Sequence, residues 1–213
     1  MIKIIVYTLL IVLTVPVSAQ NPQTIILHPP DTDRGVSVMT ALSQRASVRE
    51  FDTTGIHHRD LSDLVWAANG INRPDEGKRT AASALNAQDI DVYVVLKHAV
   101  YLYNAHQHHL EPVVEGDHRE VIAGRQESVA EAPLILLLVS DISRFTRGDE
   151  SQKLEWAAIN AGIVAQNVLL FCASEGFATV PRSFMDKQKL RDILMLKDSQ
   201  HIMLNIPMSY MKE

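Results

Sequence analysis

The sequence predicts an α+β fold in one domain, and three observations carry that prediction. Two strand-like runs, "IDVYVVLK" (90–97) and "PLILLLVSD" (133–141), are rich in β-branched and aliphatic residues. One long helical stretch runs from Ser151 to Glu175. Strand-like and helix-like segments stand separately along the chain, with no linker after residue 36.

Taken in order, residues 1–19 read as a secretory signal peptide. Lys3 gives a short positive start, Ile4 to Val15 are apolar, Pro16 breaks the run, and small residues precede a cut after Ala19. The apolar run is shorter than the roughly 20 residues that span a bilayer. An exported, periplasmic protein is therefore expected, without stable membrane insertion after cleavage; an uncleaved anchor is the alternative. Residues 20–36, rich in Pro, Asp and Gly, read as an extended lead-in, and 37–213 as the domain. Ser37 suits the N-cap of a short helix ending near Gln44. "HRDLSDLVWAANG" (58–70) places Leu61, Leu64, Val65 and Ala68 on one helix face, with Gly70 as the stop. "AVYLY" (99–103) follows the strand at 90–97 as its neighbour, and "AHQHHL" reads as a loop. The run at 133–141 is continuously apolar up to its closing Ser140 and Asp141, as in a strand covered on both faces. Asp149 and Gln152 begin the long helix in the manner of a capping box, and Gly176 ends it. This helix is apolar almost all round, which suits the core or a subunit interface. A helix over Asp186–Leu194 and a strand over His201–Pro207 finish the chain.

The chain has 20 Lys and Arg against 25 acidic residues, a net charge of -5. That balance offers no groove for nucleic acid, so cations are expected to act locally. A single cysteine, Cys172, excludes an internal disulfide, and its apolar helical neighbours mark it as a buried inert thiol. "GINRPDEGKRT" (70–80) is not a phosphate-binding Walker loop. Six residues separate its glycines, and Arg79 stands between Lys78 and Thr80. His57, His58, His106, His108 and His109 lie in pairs or clusters, yet adjacent histidines point apart, and no metal site is expected. In "QRASVREF" (44–51), Arg45, Ser47 and Arg49 alternate along an extended segment and can share a face. Two planar guanidiniums and a hydroxyl suit a phosphate; the same residues also suit a solvated loop.

"QRASVREF" resembles the R-x-S-x-R/K-x-F opening of the nitroreductase superfamily, "SALNAQ" (83–88) its S-S-x-N-x-Q segment, and "AINAGIVAQNVLLFCASEGFATVP" (158–181) its long helix and following turn. "GINR…RT", "VYLYNAHQHHLEPVVEGDHRE" (100–120) and "IPMSYMKE" (206–213) are most similar to the thiazole/oxazole-forming dehydrogenase branch. The resemblance implies a sandwich of a mixed, mostly antiparallel sheet with helices, an intertwined homodimer, and FMN sites across the interface. It implies that Arg45 and Ser47 hold the FMN phosphate and ribityl chain and that Arg49 lies near the N1/O2 edge, where a cation stabilises reduced flavin. Ser83 and Asn86 would come from the other subunit. Asn160 would set an amide against the flavin, Pro181 and the Ser183 backbone N–H would face N5, and Lys212 would be the remnant of a basic C-terminal pair, with Arg79 as a substitute. No side chain is expected to act as a catalytic group. The sequence departs from the family pattern at Ala82, Ala84, Ser183, Phe184 and Met208–Met211.

With the signal-like start supplying export, the resemblance implies an FMN-dependent oxidoreductase that moves hydride or electrons between flavin N5 and a small nitroaromatic, quinone or similar molecule. NAD(P)H is a possible reductant, expected to be a poor one outside the cytoplasm. The alternatives are a non-catalytic flavin-binding protein of the same fold and a histidine-rich metal binder.

Overall fold

A computed structural model describes residues 22–212; the segment expected to be a signal peptide lies outside them. The chain opens with β1 (Ile25–Ile26), α1 (Val38–Gln44) and α2 (His58–Asn69). A small hairpin, β2 (Ile71–Arg73) and β3 (Lys78–Arg79), leads to β4 (Ile90–Leu96), β5 (Ala99–Asn104) and β6 (His109–Glu115). Then come α3 (Arg119–Ala123), α4 (Ser128–Glu131), β7 (Leu134–Asp141), α5 (Glu150–Glu175), β8 (Phe177–Thr179), α6 (Lys187–Ile193) and β9 (Gln200–Tyr210). Seven strands form one sheet in the order β1-β6-β5-β4-β7-β9-β8, and every neighbouring pair is antiparallel.

The apolar run of β7 is explained by cover on both faces. Leu134, Leu136 and Leu138 join a core with α2 and α5, while Ile135, Leu137 and Val139 join one with α3, α4 and α6. β4 divides likewise, Val92 and Val94 to one face and Tyr93 and Val95 to the other. Helix α5 is long and apolar enough for a membrane span; here Ala161, Val164, Ala165 and Val168 pack against the sheet.

The caps follow the sequence closely. The Ser37 side chain accepts from the Thr40 N–H, and the Asp149 side chain accepts from the Gln152 N–H. Each such cap is worth about 1 kcal/mol. Gly176 takes a left-handed φ of 74° as α5 ends. Gly70 ends α2 for a different reason. Its backbone is extended, at φ -76° and ψ 168°. A Cβ there would collide with the Trp66 ring. Close approach, not left-handed geometry, requires this glycine.

Several elements escape the sequence pattern. Residue 109, expected in a loop, begins β6, and β2, β3, β8, α3 and α4 are too short to show a period. The last strand runs past Pro207. That carbonyl accepts from Thr179 Oγ1 on the β8 side, one residue beyond the last β8 pairing, Thr179 with Met208. The missing N–H therefore faces no ladder partner. The lead-in folds back on the domain: β1 pairs with β6, Leu27 is buried, and Arg34 bonds Asp60 and Asp63 of α2 and Glu175 of α5.

Candidate functional site

Where α1 stops, the Arg45 N–H closes on the Ala41 carbonyl at 2.9 Å and the chain turns extended. The following segment is pinned by its backbone and its apolar residues. The Val48 N–H donates to the Thr179 carbonyl at 2.9 Å, the Val48 side chain packs on the core, and Phe51 is buried. The Asp52 N–H donates to Ser209 Oγ at 3.0 Å. Arg45, Ser47 and Arg49 are all exposed. Among the described residues neither arginine meets a carboxylate, whereas Arg34, Arg59, Arg119, Arg144 and Arg191 all do. An extended strip fixed from behind thus presents two uncommitted guanidiniums and a hydroxyl.

The Thr179 carbonyl ties this strip to the turn after β8. There Val180 is buried, Pro181 partly buried, Arg182 buried and Ser183 exposed. The Arg182 and Asn205 backbones exchange N–H···O bonds of 2.8 Å in both directions, while no described residue accepts from the Ser183 N–H. Phe184 stays exposed beside Arg125, whose guanidinium lies 5.4 Å from the ring centroid. Lys212 is exposed just past β9. It contributes, after the Thr54 hydroxyl and N–H, to holding the Asp52 carboxyl below the usual range. Arg45, Ser47, Arg49, Pro181, Ser183 and Lys212 therefore belong to one end of the molecule, held together through Thr179 and the Asp52–Ser209 contact.

Ser83, Asn86 and Asn160 lie elsewhere. The loop from Ser83 to Gln88 contains three non-glycine residues in the left-handed region, Leu85, Asn86 and Gln88, at φ 57°, 52° and 48°. Such residues persist only where their surroundings enforce them. Here the Ala84 N–H donates to Asn160 Oδ1 at 3.0 Å, and the Gln88 N–H to Ser83 Oγ at 2.9 Å. The Asn160 Nδ2 donates to Asp89 Oδ1 at 2.6 Å, and Ser140 Oγ to Asp89 Oδ2 at 2.5 Å. Burial pushes the Asp89 carboxyl up, against these two hydrogen bonds. Both ends of the Asn160 amide bond within the chain and so support the loop. Arg79 is likewise committed: its Nε reaches Gln88 Oε1 at 2.9 Å and its Nη1 the Asn69 carbonyl at 3.1 Å. The loop's outward parts are Leu85 and Asn86, both exposed.

The sheet registers place the strip and the loop apart: Thr179, which binds the strip, stands level with Met208, Leu134 and Leu96, whereas Asp89, which holds the loop through Asn160, precedes the other end of β4, about 23 Å away along the strand.

The cleft between α1, α2 and α5, of about 450 Å³, is not an anion site, because Arg34 in its wall is already held by three carboxylates. The histidines diverge as adjacent residues do. His108 bonds Tyr103 Oη and the His28 carbonyl, and His109 bonds Glu111. Among the described residues no three His, Cys, Asp or Glu side chains converge on a metal position. Burial pushes the Cys172 thiol far up, as befits an inert core sulfur.

Asp89, Ser140, Arg182 and Asn205 carry much of this geometry, and no sequence motif points to them. A weaker signal does exist: Asn205 is a single polar residue between Ile202–Leu204 and Ile206–Met208, which marks a buried hydrogen bond.

Comparison with known proteins gives a consistent result. The nitroreductase family profile matches residues 42–210. A Methanocaldococcus jannaschii protein bearing a nitroreductase name is 27% identical over 184 residues, covering 82% of this chain and 92% of its own. A Ralstonia eutropha JMP134 crystal structure with a nitroreductase description is 33% identical, covers 90% of this chain and 91% of that one, and superposes with a TM-score of 0.85. A nitroreductase family protein from Streptococcus pneumoniae TIGR4, 20% identical, covers 83% of this chain and 92% of that one at a TM-score of 0.61, a likeness of fold alone.

Proposed function

The chain belongs to the nitroreductase family of oxidoreductases, and from that premise we propose that it is an FMN-dependent enzyme whose site is shared between two copies. One copy contributes Arg45, Ser47, Arg49, Pro181, Ser183 and Lys212, and the other contributes Ser83 and Asn86. The observation that carries this reading is that the strip, bound at Thr179, and the Ser83–Gln88 loop, bound through Asp89, stand at opposite ends of the β4 register, about 23 Å apart along the strand. The exposed Val38, Met39 and Leu42 of α1 and Ile159 of α5 support a partner surface between them.

The residues fit the cofactor. Uncommitted guanidiniums at Arg45 and Arg49 with the Ser47 hydroxyl match an anionic phosphate tail, and the unsatisfied Ser183 N–H offers a donor to a ring nitrogen. Bound FMN would supply hydride or electron transfer at N5 to a small acceptor such as a nitroaromatic or quinone, or from a substrate being dehydrogenated. The chain's own part is to orient the ring, to place the Arg49 cation near its electron-rich edge, and to exclude water with the partner's Leu85–Asn86 loop. The thiazole/oxazole-forming dehydrogenase branch is the finer placement we propose, on the segments 70–80, 100–120 and 206–213. The apolar run at Ile4–Val15 supports export, and with it a donor other than NAD(P)H. Stopped-flow mixing with NADPH should bleach bound flavin slowly, and rapid bleaching would refute that part.

The test of the main reading is the absorbance spectrum and solution mass of the purified protein. A flavin band with one FMN per chain in a dimer is expected. A colourless monomer that takes up no added FMN contradicts it.

A further inference from the structure

The turn that carries Ser183 is backed by a buried cation with no anion. Arg182 exposes 8% of its surface, and its guanidinium meets only neutral oxygens. Its Nε donates to Gln126 Oε1 at 2.7 Å, Nη1 to Asn205 Oδ1 at 2.7 Å and the Ile122 carbonyl at 3.4 Å, and Nη2 to the Ala123 carbonyl at 3.0 Å. Arg182 joins no ion pair among the described residues, in contrast to partly buried Arg34 with its three carboxylates. Burial lowers its pKa. An uncompensated ion in such a place costs several kcal/mol. The carbonyls of Ile122 and Ala123, at the C-terminal end of α3, offset part of that cost through their partial negative charge.

Holding the turn in shape does not need the charge. Asn205 already bridges it: besides the two backbone bonds, its Nδ2 reaches the carbonyls of Arg182 at 3.3 Å and Phe184 at 3.2 Å. A neutral side chain with an amide could satisfy Gln126 and a helix carbonyl. The positive charge is left over, fixed behind the exposed Ser183 N–H in a water-poor setting where charge acts strongly.

We propose that Arg182 is a positioning residue that also acts electrostatically. It anchors the Ser183 turn and supplies a buried positive charge that favours the reduced, negatively charged form of a flavin held against that turn. The inference rests on FMN binding as proposed above. Reduction adds two electrons and one proton to the neutral ring system, so one net negative charge appears, and a nearby fixed cation stabilises it. Arg182 is thus distinct from Arg49, which belongs to the exposed strip.

Three variants test this by spectroelectrochemical titration of the FMN-loaded protein, with dithionite as reductant, alongside flavin content and thermal melting. Arg182→Gln removes the charge and should lower the reduced-to-oxidised ratio at a fixed potential about tenfold, equal to about 30 mV for a two-electron couple. Gln126→Glu keeps Arg182 and its hydrogen bond but adds a compensating anion. It should shift the ratio the same way by a smaller factor, with melting unchanged or raised. Arg182→Lys keeps the charge without the fork and should hold the wild-type midpoint while melting earlier. A purely structural Arg182 would leave the midpoint of both Arg182→Gln and Gln126→Glu at the wild-type value, and that result overturns the inference. Should Arg182→Gln fail to fold, Gln126→Glu decides alone, since residue 126 is exposed. Wild-type protein that takes up no FMN would instead defeat the underlying functional reading.

Discussion

The strip at Arg45–Arg49 and the loop at Ser83–Gln88 are opposite ways of building a binding element. In the strip the backbone is tied down by Val48, Phe51 and Asp52, and the polar side chains are left exposed. In the loop the polar groups are committed inward, through Asn160, Asp89, Ser140 and Arg79, and what faces outward is a strained turn carrying Leu85 and Asn86. The first arrangement suits gripping a charged ligand. The second suits presenting a fixed shape to something else. Changes to the strip should therefore alter binding without altering stability, and changes under the loop should do the reverse first.

The largest stability effect should come from Asp89→Ala. It strips Asn160 Nδ2 and Ser140 Oγ of their acceptor in a fully buried site, and roughly one to three kcal/mol is typical for each stranded group. A loss of about 3 kcal/mol is expected in urea unfolding, and a loss below about 0.5 kcal/mol would show the network to be dispensable. Arg45→Ala is the mirror image. Unfolding should move by less than about 0.5 kcal/mol, as for other surface changes, while the FMN dissociation constant rises at least about tenfold, matching one lost charge-assisted contact of roughly 1.5–3 kcal/mol. Stoichiometric flavin retained through gel filtration by that variant would count against the clamp.

A smaller effect concerns pH. Asp89 in the folded chain holds its proton more tightly than an ordinary carboxyl of pKa 3.8, because burial disfavours its charge. The folded state then binds more protons than the unfolded one just above that value. Its contribution to stability is accordingly present below 3.8 and lost as pH rises through the raised pKa. Asp89→Asn, which can still accept from Asn160 and donate to Ser140 Oγ, should remove this slope. Urea midpoints measured across that range for both proteins should diverge in slope; parallel curves would mean that Asp89 titrates normally.

The two regions also differ in how far the sequence reveals them. The strip was legible because alternation in an extended segment needs only spacing, and Arg45, Ser47 and Arg49 do share exposure. The strand at 133–141, the Ser37 and Asp149 caps and the long helix were legible for the same local reason. The loop was only half legible. "SALNAQ" marked its place, but nothing local shows that Asn160, 76 residues away from Ala84 in sequence, turns its amide inward, or that Arg79 serves Gln88. Those are tertiary hydrogen bonds, and they leave no period in the sequence. Gly70 shows the same limit: the sequence marks a stop, and only the Trp66 ring explains it.

Whether the strip of one copy meets the loop of another is the central question, and a tagged heterodimer answers it. Co-expressed chains carrying Arg45→Ala on one and the Ser83→Ala/Asn86→Ala pair on the other would be isolated by tandem tags and their flavin content measured. Each variant alone should lose FMN as a homodimer. The heterodimer should contain one intact site of two, and so bind about half the wild-type flavin, as two-fold symmetry requires. A heterodimer as empty as its parents, with the dimer intact, would contradict the shared site.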